Sequence, residues 1–346
     1  MGLLHGRLAQ SGEEVPMLDM RRRKLIAMLG GAAAAWPLAA RAQQPALPVV
    51  GFLDNRSSDG MASRLAAFHK GLKEVGLVEG ENVTIVYRWA EDRLDRLPEM
   101  ASELARQATV IVTTGGPPAA FAAKAATTTV PIVFLVGEDP TRLGLVTSIA
   151  RPSGNLTGIN MLANELEAKR LQLLHQLVPQ AQRVAVLVNP NSVINAETTL
   201  RDVEPAARTI GLQLQVLKAS TAREIEEAFA WSEGQRPDAL FVAATAFLNI
   251  RRVQLVQLAA FHRLAATFGQ REAAEAGALM SYGPSILEGY RQWGIYAGRV
   301  LKGAKPGELP VLQSTKFELV INNTTARMFG LTVPPSLVAI ADEVIE

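Results

Sequence analysis

The chain has 346 residues, 48% of them hydrophobic, with 35 Lys and Arg against 33 Asp and Glu and no cysteine. That length accommodates two ordinary domains or one large one, and the apolar content supports a large buried core rather than a disordered chain. The first 42 residues hold six of the basic and three of the acidic side chains, so the remainder carries 29 against 30, a net of −1. A nearly neutral body gives no electrostatic reason to expect nucleic acid or an anionic membrane as partner. The lack of cysteine excludes disulfides, thiolate metal sites, cysteine nucleophiles and a lipid anchor on an N-terminal cysteine.

The first recognisable segment is Met20 to Gln44, MRRRKLIAMLGGAAAAWPLAARAQQ. Arg21, Arg22, Arg23 and Lys24 form a basic leader to the apolar run Leu25 to Ala40, and Ala40-Arg41-Ala42 has the small-x-small form of a cleavage site. The apolar run falls short of the ~20 residues that cross a bilayer as a helix. This predicts an exported chain, cleaved near Ala42 and soluble once mature, by either the Sec or the twin-arginine (Tat) route. Residues 1–19 read as a mis-set start or an extension; 20–42 read as signal peptide.

Beyond Pro48, short β-rich runs alternate with helix-length amphipathic ones. Strands are predicted at Val49–Leu53, Asn82–Ala90, Thr109–Thr114, Pro131–Val136 and Leu156–Asn160. A second series follows at Arg183–Pro190, Leu212–Ser220, Ala239–Thr245, Ala278–Gly283 and Phe317–Asn322. Between them, apolar residues recur at spacings of three and four, as in Leu65, Phe68, Leu72 and Val75, or Ile286, Tyr290, Trp293, Ala297 and Val300. Strands alternating with crossover helices predict α/β architecture, a parallel sheet covered on both faces. Two series predict two doubly wound lobes; an eight-fold barrel is the structural rival.

In open parallel sheets ligands bind beyond the carboxyl ends of the strands. The candidate positions are therefore Asp54 and Asn55, Thr114 and Gly115, Glu138 and Asp139, Asn189, Thr245 and Tyr282. Most are hydroxyl, amide or carboxylate residues that hydrogen-bond a small polar ligand; Gly115-Gly116 opens a helix whose N-terminal dipole favours an anion, and Glu138 or Asp139 suits an ammonium group. Turn and cap chemistry alone would place the same residue types at such loops. No nucleophile elbow, phosphate-binding loop or three-glycine dinucleotide fingerprint is present, and no histidine falls at a strand end to act as a base. The four histidines never fall at metal-ligand spacing. No catalytic residue, cofactor or metal is expected.

Several runs carry a family resemblance: GFLDN, FHKGLKEVGLVEGENV, TTGGPPAAFAAKAATTTVPIVF, GEDPTRLGLVTSIARPSGNLTGIN, YRQWGIYAGRVLKGAKPGELPV and LGLTVPPSL. With the export segment, they resemble the ABC transporter substrate-binding proteins of the periplasmic type I fold, in the branch related to tryptophan and tyrosine uptake. The resemblance covers residues 20–346. It implies two Rossmann-like lobes joined by three hinge crossings, near 160–163, 278–283 and 310–316. The first lobe would comprise 47–161 plus 281–312, the second 162–280 plus 313–346. It further implies a monomeric periplasmic protein that captures a small polar ligand, an amino acid or related carboxylate, and delivers it to an ABC permease with its ATPase. The alternatives are a ligand-sensing partner of a membrane receptor and an exported hydrolase.

Overall fold

The computed structural model describes residues 47–346 apart from 164, 165, 236 and the side chains of 231–235. The export segment and the stretch before it lie outside the described residues.

The first series of elements runs β1 (Val49–Asp54), α1 (Ala62–Glu74), β2 (Thr84–Trp89), α2 (Leu97–Gln107), β3 (Val110–Thr114), α3 (Pro117–Ala126), β4 (Ile132–Val136) and β5 (Leu156–Asn160). The second runs α4 (Glu167–Leu177), β6 (Arg183–Val188), α5 (Val193–Thr209), β7 (Gln213–Lys218), α6 (Ala222–Gln235), β8 (Ala239–Val242), α7 (Ala246–Ile250), α8 (Arg252–Phe261), β9 (Ala265–Phe268), α9 (Arg271–Glu275) and β10 (Met280–Pro284). The chain then returns to the first lobe with α10 (Ile286–Leu301) and β11 (Leu312–Gln313). It ends in the second with β12 (Phe317–Asn322), α11 (Asn323–Met328), α12 (Pro335–Val338) and β13 (Glu343–Ile345).

Two open sheets result, ordered β11-β5-β4-β3-β1-β2 and β13-β12-β10-β9-β8-β6-β7. All neighbours are parallel except β10 and β12. Each lobe thus contains one five-strand pattern, 2-1-3-4-5 in its own order of appearance, which is a doubly wound fold rather than a barrel. The central strands β3 and β4 are buried at every position. That is what helices on both faces require, and it explains why these segments are unbroken apolar runs rather than alternating ones.

The middle crossing lies at 284–286, not at 278–283, and residues 281–284 belong to the second lobe. The reason is pairing: Met280 to Pro284 run antiparallel to Ile321 to Phe317, which locks this strand into the second sheet. Helix α10 then packs on the first sheet. Trp293 is fully buried there, 4.8 Å from Phe68 and 5.4 Å from Phe52 between ring centroids, and its indole N–H donates to the Val133 carbonyl at 2.8 Å. A buried aromatic with its polar atom satisfied makes α10 a rigid part of that lobe, which matters because Tyr290 sits one turn earlier.

Candidate functional site

In each sheet the strand order reverses at the first strand of the series: β1 lies between β2 and β3, and β6 between β7 and β8. Loops leaving the two sides of such a reversal diverge and open a crevice at the carboxyl ends. The loops concerned are 54–56 and 114–116 in one lobe, 189–192 and 243–246 in the other. They border a shared cleft. Its inner hollow, about 670 Å³, takes Arg56, Thr114, Gly115, Gly116 and Tyr290 from the first lobe and Ala244, Ala246, Asn249, Gly269 and Gln270 from the second. Leu135, Met161, Pro284 and Ile286 give it an apolar side. An outer hollow of about 1110 Å³ shares Gly115, Gly116, Glu138 and Ala246 with it and adds Asn55, Asp92, Asn189, Thr245 and Arg251.

The floor of the inner hollow is built around Arg56, the residue that follows the predicted Asp54-Asn55 pair. Its Nε donates to Asp54 Oδ1 at 2.9 Å and its Nη2 to Asp54 Oδ2 at 2.7 Å, a two-point clamp reinforced by the Arg56 backbone N–H on Oδ1 at 2.9 Å. The same Nη2 donates to the Tyr290 hydroxyl at 2.7 Å, and that hydroxyl lies 3.1 Å from Thr114 Oγ1. Burial opposes the guanidinium charge, but Tyr290 and Asp54 outweigh it and hold Arg56 above its ordinary range. Asp54 is completely buried and spent on this clamp, so it supports the site from behind. Planar two-point pairing of this kind fixes the orientation of the arginine as well as its charge.

Above Arg56 the chain turns through Gly115 and Gly116, with φ of 85° and 113°, into α3. A Cβ at Gly115 would stand 1.9 Å from Asn55 Oδ1 and 2.4 Å from Asp54 Oδ1, so both the dihedral and the contact demand glycine. Pro117 and Pro118 occupy the first helical positions and lack N–H groups, so Gly115 and Gly116, which line both hollows, carry the last amides before α3. Asn55 Oδ1 is buried with no hydrogen-bond partner among the described residues. Its backbone carbonyl accepts from Asp92 at 2.7 Å. Glu91 and Asp92 both hold left-handed dihedrals, φ of 55° and 62°, and such strained positions persist where surrounding structure fixes them.

On the second lobe, Thr245 is the N-cap of α7, its Oγ1 accepting from the Leu248 N–H at 3.2 Å. Asn189 closes an Asx turn, its Oδ1 accepting from the Asn191 N–H at 3.0 Å. Both line the outer hollow while shaping their own loops. Three expected residues are not brought into either hollow: Asp54, held behind Arg56, and Asp139 and Tyr282. Asp139 lies in a separate depression with Arg142 and Arg201. Its Oδ1 accepts from Thr141 Oγ1 at 2.6 Å and from the Thr141 N–H at 2.8 Å; although burial pushes its pKa up, these bonds win and lower it. Tyr282, on β10, packs against the second lobe's core, and successive residues of a strand point to opposite faces. Pro284 and Gly269 line the inner hollow instead.

Arg64, Gln270 and Tyr290 are site residues that the sequence reading does not single out. Arg64, on α1, reaches across the cleft: its Nη2 donates to Gln270 Oε1 at 3.0 Å and to Glu272 Oε1 at 2.9 Å. Among the described residues no cluster of three or more His, Cys, Asp or Glu is placed to hold a metal ion, and no helix is long and apolar enough to cross a membrane.

Two doubly wound lobes joined by three crossings, with both reversal points opening on one cleft, define a two-lobed binding protein of the periplasmic type I fold. Residues 49–345 match the family described as ABC transporter substrate binding protein, and the chain belongs to that family. A tyrosine-binding protein of Clostridioides difficile (strain R20291) is 25% identical over 265 residues, 76% of this chain and 75% of that one. Two solved structures share the fold. A conserved domain protein from Vibrio cholerae has a TM-score of 0.79 at 24% identity, covering 86% of this chain and 99% of its own. The ABC domain in complex with L-Trp from Streptococcus pneumoniae has a TM-score of 0.78 at 23% identity, covering 87% and 100%. The protein is a solute-binding member of the ABC transporter family, and two of these relatives bind tyrosine and L-Trp by name.

Proposed function

We propose that the protein captures a free amino acid between its lobes outside the cytoplasm and delivers it to an ABC permease. The observation that carries this reading is the composition of the inner hollow. One end offers the glycine amides at the start of α3 and the buried Arg56, a setting for a carboxylate. The other is apolar, with Leu135, Met161, Pro284 and Ile286 placed to cover a hydrophobic side chain. Glu138 borders both hollows and is the acidic residue nearest to where an ammonium would sit. The tyrosine and L-Trp of the relatives make an aromatic amino acid the first ligand to try.

Closure follows from linkage. A ligand that touches both walls binds the closed arrangement better than the open one and shifts the population by that difference. The crossings at 284–286 and 314–316 are short enough to act as hinges while each lobe moves as a body. Export rests on the Met20–Gln44 segment, and delivery to a permease on the family to which the chain belongs.

A thermal-shift screen of the L-amino acids, their D-enantiomers and small carboxylates tests the ligand. Saturation a hundredfold above Kd contributes about 2.7 kcal/mol, which raises Tm by roughly 5 °C in a chain of this size. L-Tryptophan or L-tyrosine is expected to give that rise. No shift from any amino acid would defeat the ligand assignment.

A further inference from the structure

The second wall of the cleft rests on a buried ion pair that none of the ligand-facing residues explains. Glu167 and Arg170 lie one turn apart at the start of α4, immediately after the first crossing, and both are almost wholly buried. Arg170 Nη2 donates to Glu167 Oε2 and, at 2.9 Å, to the Val242 carbonyl at the end of β8. Its guanidinium lies 4.2 Å from the centroid of the Phe241 ring. Glu167 accepts from the Ala244 backbone N–H and lies 3.5 Å from Thr199 Oγ1 on α5. On the next strand, a Cβ at Gly269 would stand 2.6 Å from Arg170 Nη1 and 3.0 Å from the Ala244 Cβ. One carboxylate and one guanidinium thus hold the ends of two adjacent strands, β8 and β9, at the point where they become the cleft wall.

We propose that the Glu167–Arg170 pair positions the ligand-facing wall of the second lobe: it sets where Ala244, Ala246 and Gly269 stand, and through them how tightly the closed cleft holds its ligand. The proposal rests on the reading that this cleft takes the ligand. An isosteric apolar pair would fill the same space without removing two charges from water, so packing alone does not account for it. What an apolar pair lacks is a donor for the Val242 carbonyl and an acceptor for the Ala244 N–H.

The pair also links the wall to acidity. Burial pushes the Glu167 carboxyl up to about 7, against the pull of Arg170 and the Ala244 N–H. The charged groups that face it are Arg170 from its own helix and Asp202 from α5, which adds to the upward push; the end of β8 presents only backbone. Because burial outweighs Arg170 and the Ala244 N–H, the carboxyl in the ordered wall holds its proton more tightly than a solvated one does. The ordered wall is therefore favoured as pH falls through about 7 and weakened as pH rises above it.

Hydrogen exchange reads the wall without needing a ligand. In the full chain at about pH 8.5, Glu167→Gln is expected to lower amide protection over 243–247 by about tenfold while Arg183–Val188 keeps its protection. After correction for intrinsic rates, wild type should protect 243–247 better at about pH 5.5 than at about pH 8.5. L-Tryptophan affinity should fall by about tenfold in Glu167→Gln. Unchanged protection over 243–247, or an equal loss across every strand of the second lobe, overturns the proposal. If the variant does not fold, the wild-type comparison at the two pH values decides alone. If L-tryptophan binds neither protein while the exchange pattern holds, the amino-acid reading fails and the positioning role stands.

Discussion

Arg64 Nη2 lies 2.9 Å from Glu272 Oε1, and the two residues belong to opposite lobes. Both are at least half buried, and the arginine side chain also lines the inner hollow. This is a contact that opening would break. Burial raises the Glu272 carboxyl, but Arg64 and its neighbours outweigh it, and the net shift is downward. An acid with a depressed pKa contributes fully above its ordinary range and loses that contribution as pH falls through the depressed value. Glu272→Gln should therefore weaken closure by about 1–2 kcal/mol, seen as a roughly tenfold loss of ligand affinity in calorimetry and a larger radius of gyration with ligand present. Unchanged affinity and radius would show that the pair does not hold the lobes together.

Tyr290→Phe removes one hydroxyl that bridges Arg56 and Thr114. A buried charged donor then loses a partner, at a cost of about 1–3 kcal/mol. Denaturant unfolding should show the loss as a lower midpoint, and ligand titration as a weaker site. A variant equal to wild type in both would mean that the hydroxyl does not set the arginine's position.

Gly115→Ala forces a side chain into a backbone with φ of 85° and into contact with Asn55. Strain of this kind is worth about 1–3 kcal/mol, and here it falls on the loop between Arg56 and α3. Binding should drop by about 100-fold while circular dichroism stays that of the folded protein.

Asp139→Ala separates turn chemistry from ligand chemistry. Its carboxylate holds the Thr141 turn, so the substitution should lower stability by about 1 kcal/mol and leave affinity within about twofold. A large loss of affinity would return Asp139 to the ligand site.

Glu167 gives a stability signature distinct from its effect on the wall. Its folded pKa stands above the ordinary value, about 7 against 4.5, so the native state binds the proton more tightly than the unfolded chain. The stability of wild type relative to Glu167→Gln should fall as pH rises through that window and level off above it. A difference that stays flat across the window would place the folded-state pKa near the unfolded one.

Much of the fold was legible because β1, β3, β4 and β6 are continuous apolar runs closed by turn residues, a pattern that only a doubly covered parallel sheet requires. Strand β9 was not, since Ala265-Ala266-Thr267-Phe268 is short and opens on two alanines of low strand preference. Losing it hid Gln270 and the Arg64 contact. At the cleft, the reading stops at Asp54 and Asn55, whereas the side chain that lines the inner hollow belongs to the next residue, Arg56. Tyr290 reads from periodicity as one member of a core stripe; only the packing of α10 on the first sheet shows that its hydroxyl faces the cleft. Tyr282 shows the converse limit. Being near a strand end does not fix which way a side chain points, because one step along the strand reverses it.

The central claim is that one small solute sits between the lobes. Native mass spectrometry of the mature protein mixed with L-tryptophan and L-tyrosine tests it most directly. The account predicts a single one-to-one adduct with one of them, lost when Arg56 is replaced by methionine. No adduct with either, or several adducts of equal weight that survive Arg56→Met, would contradict it.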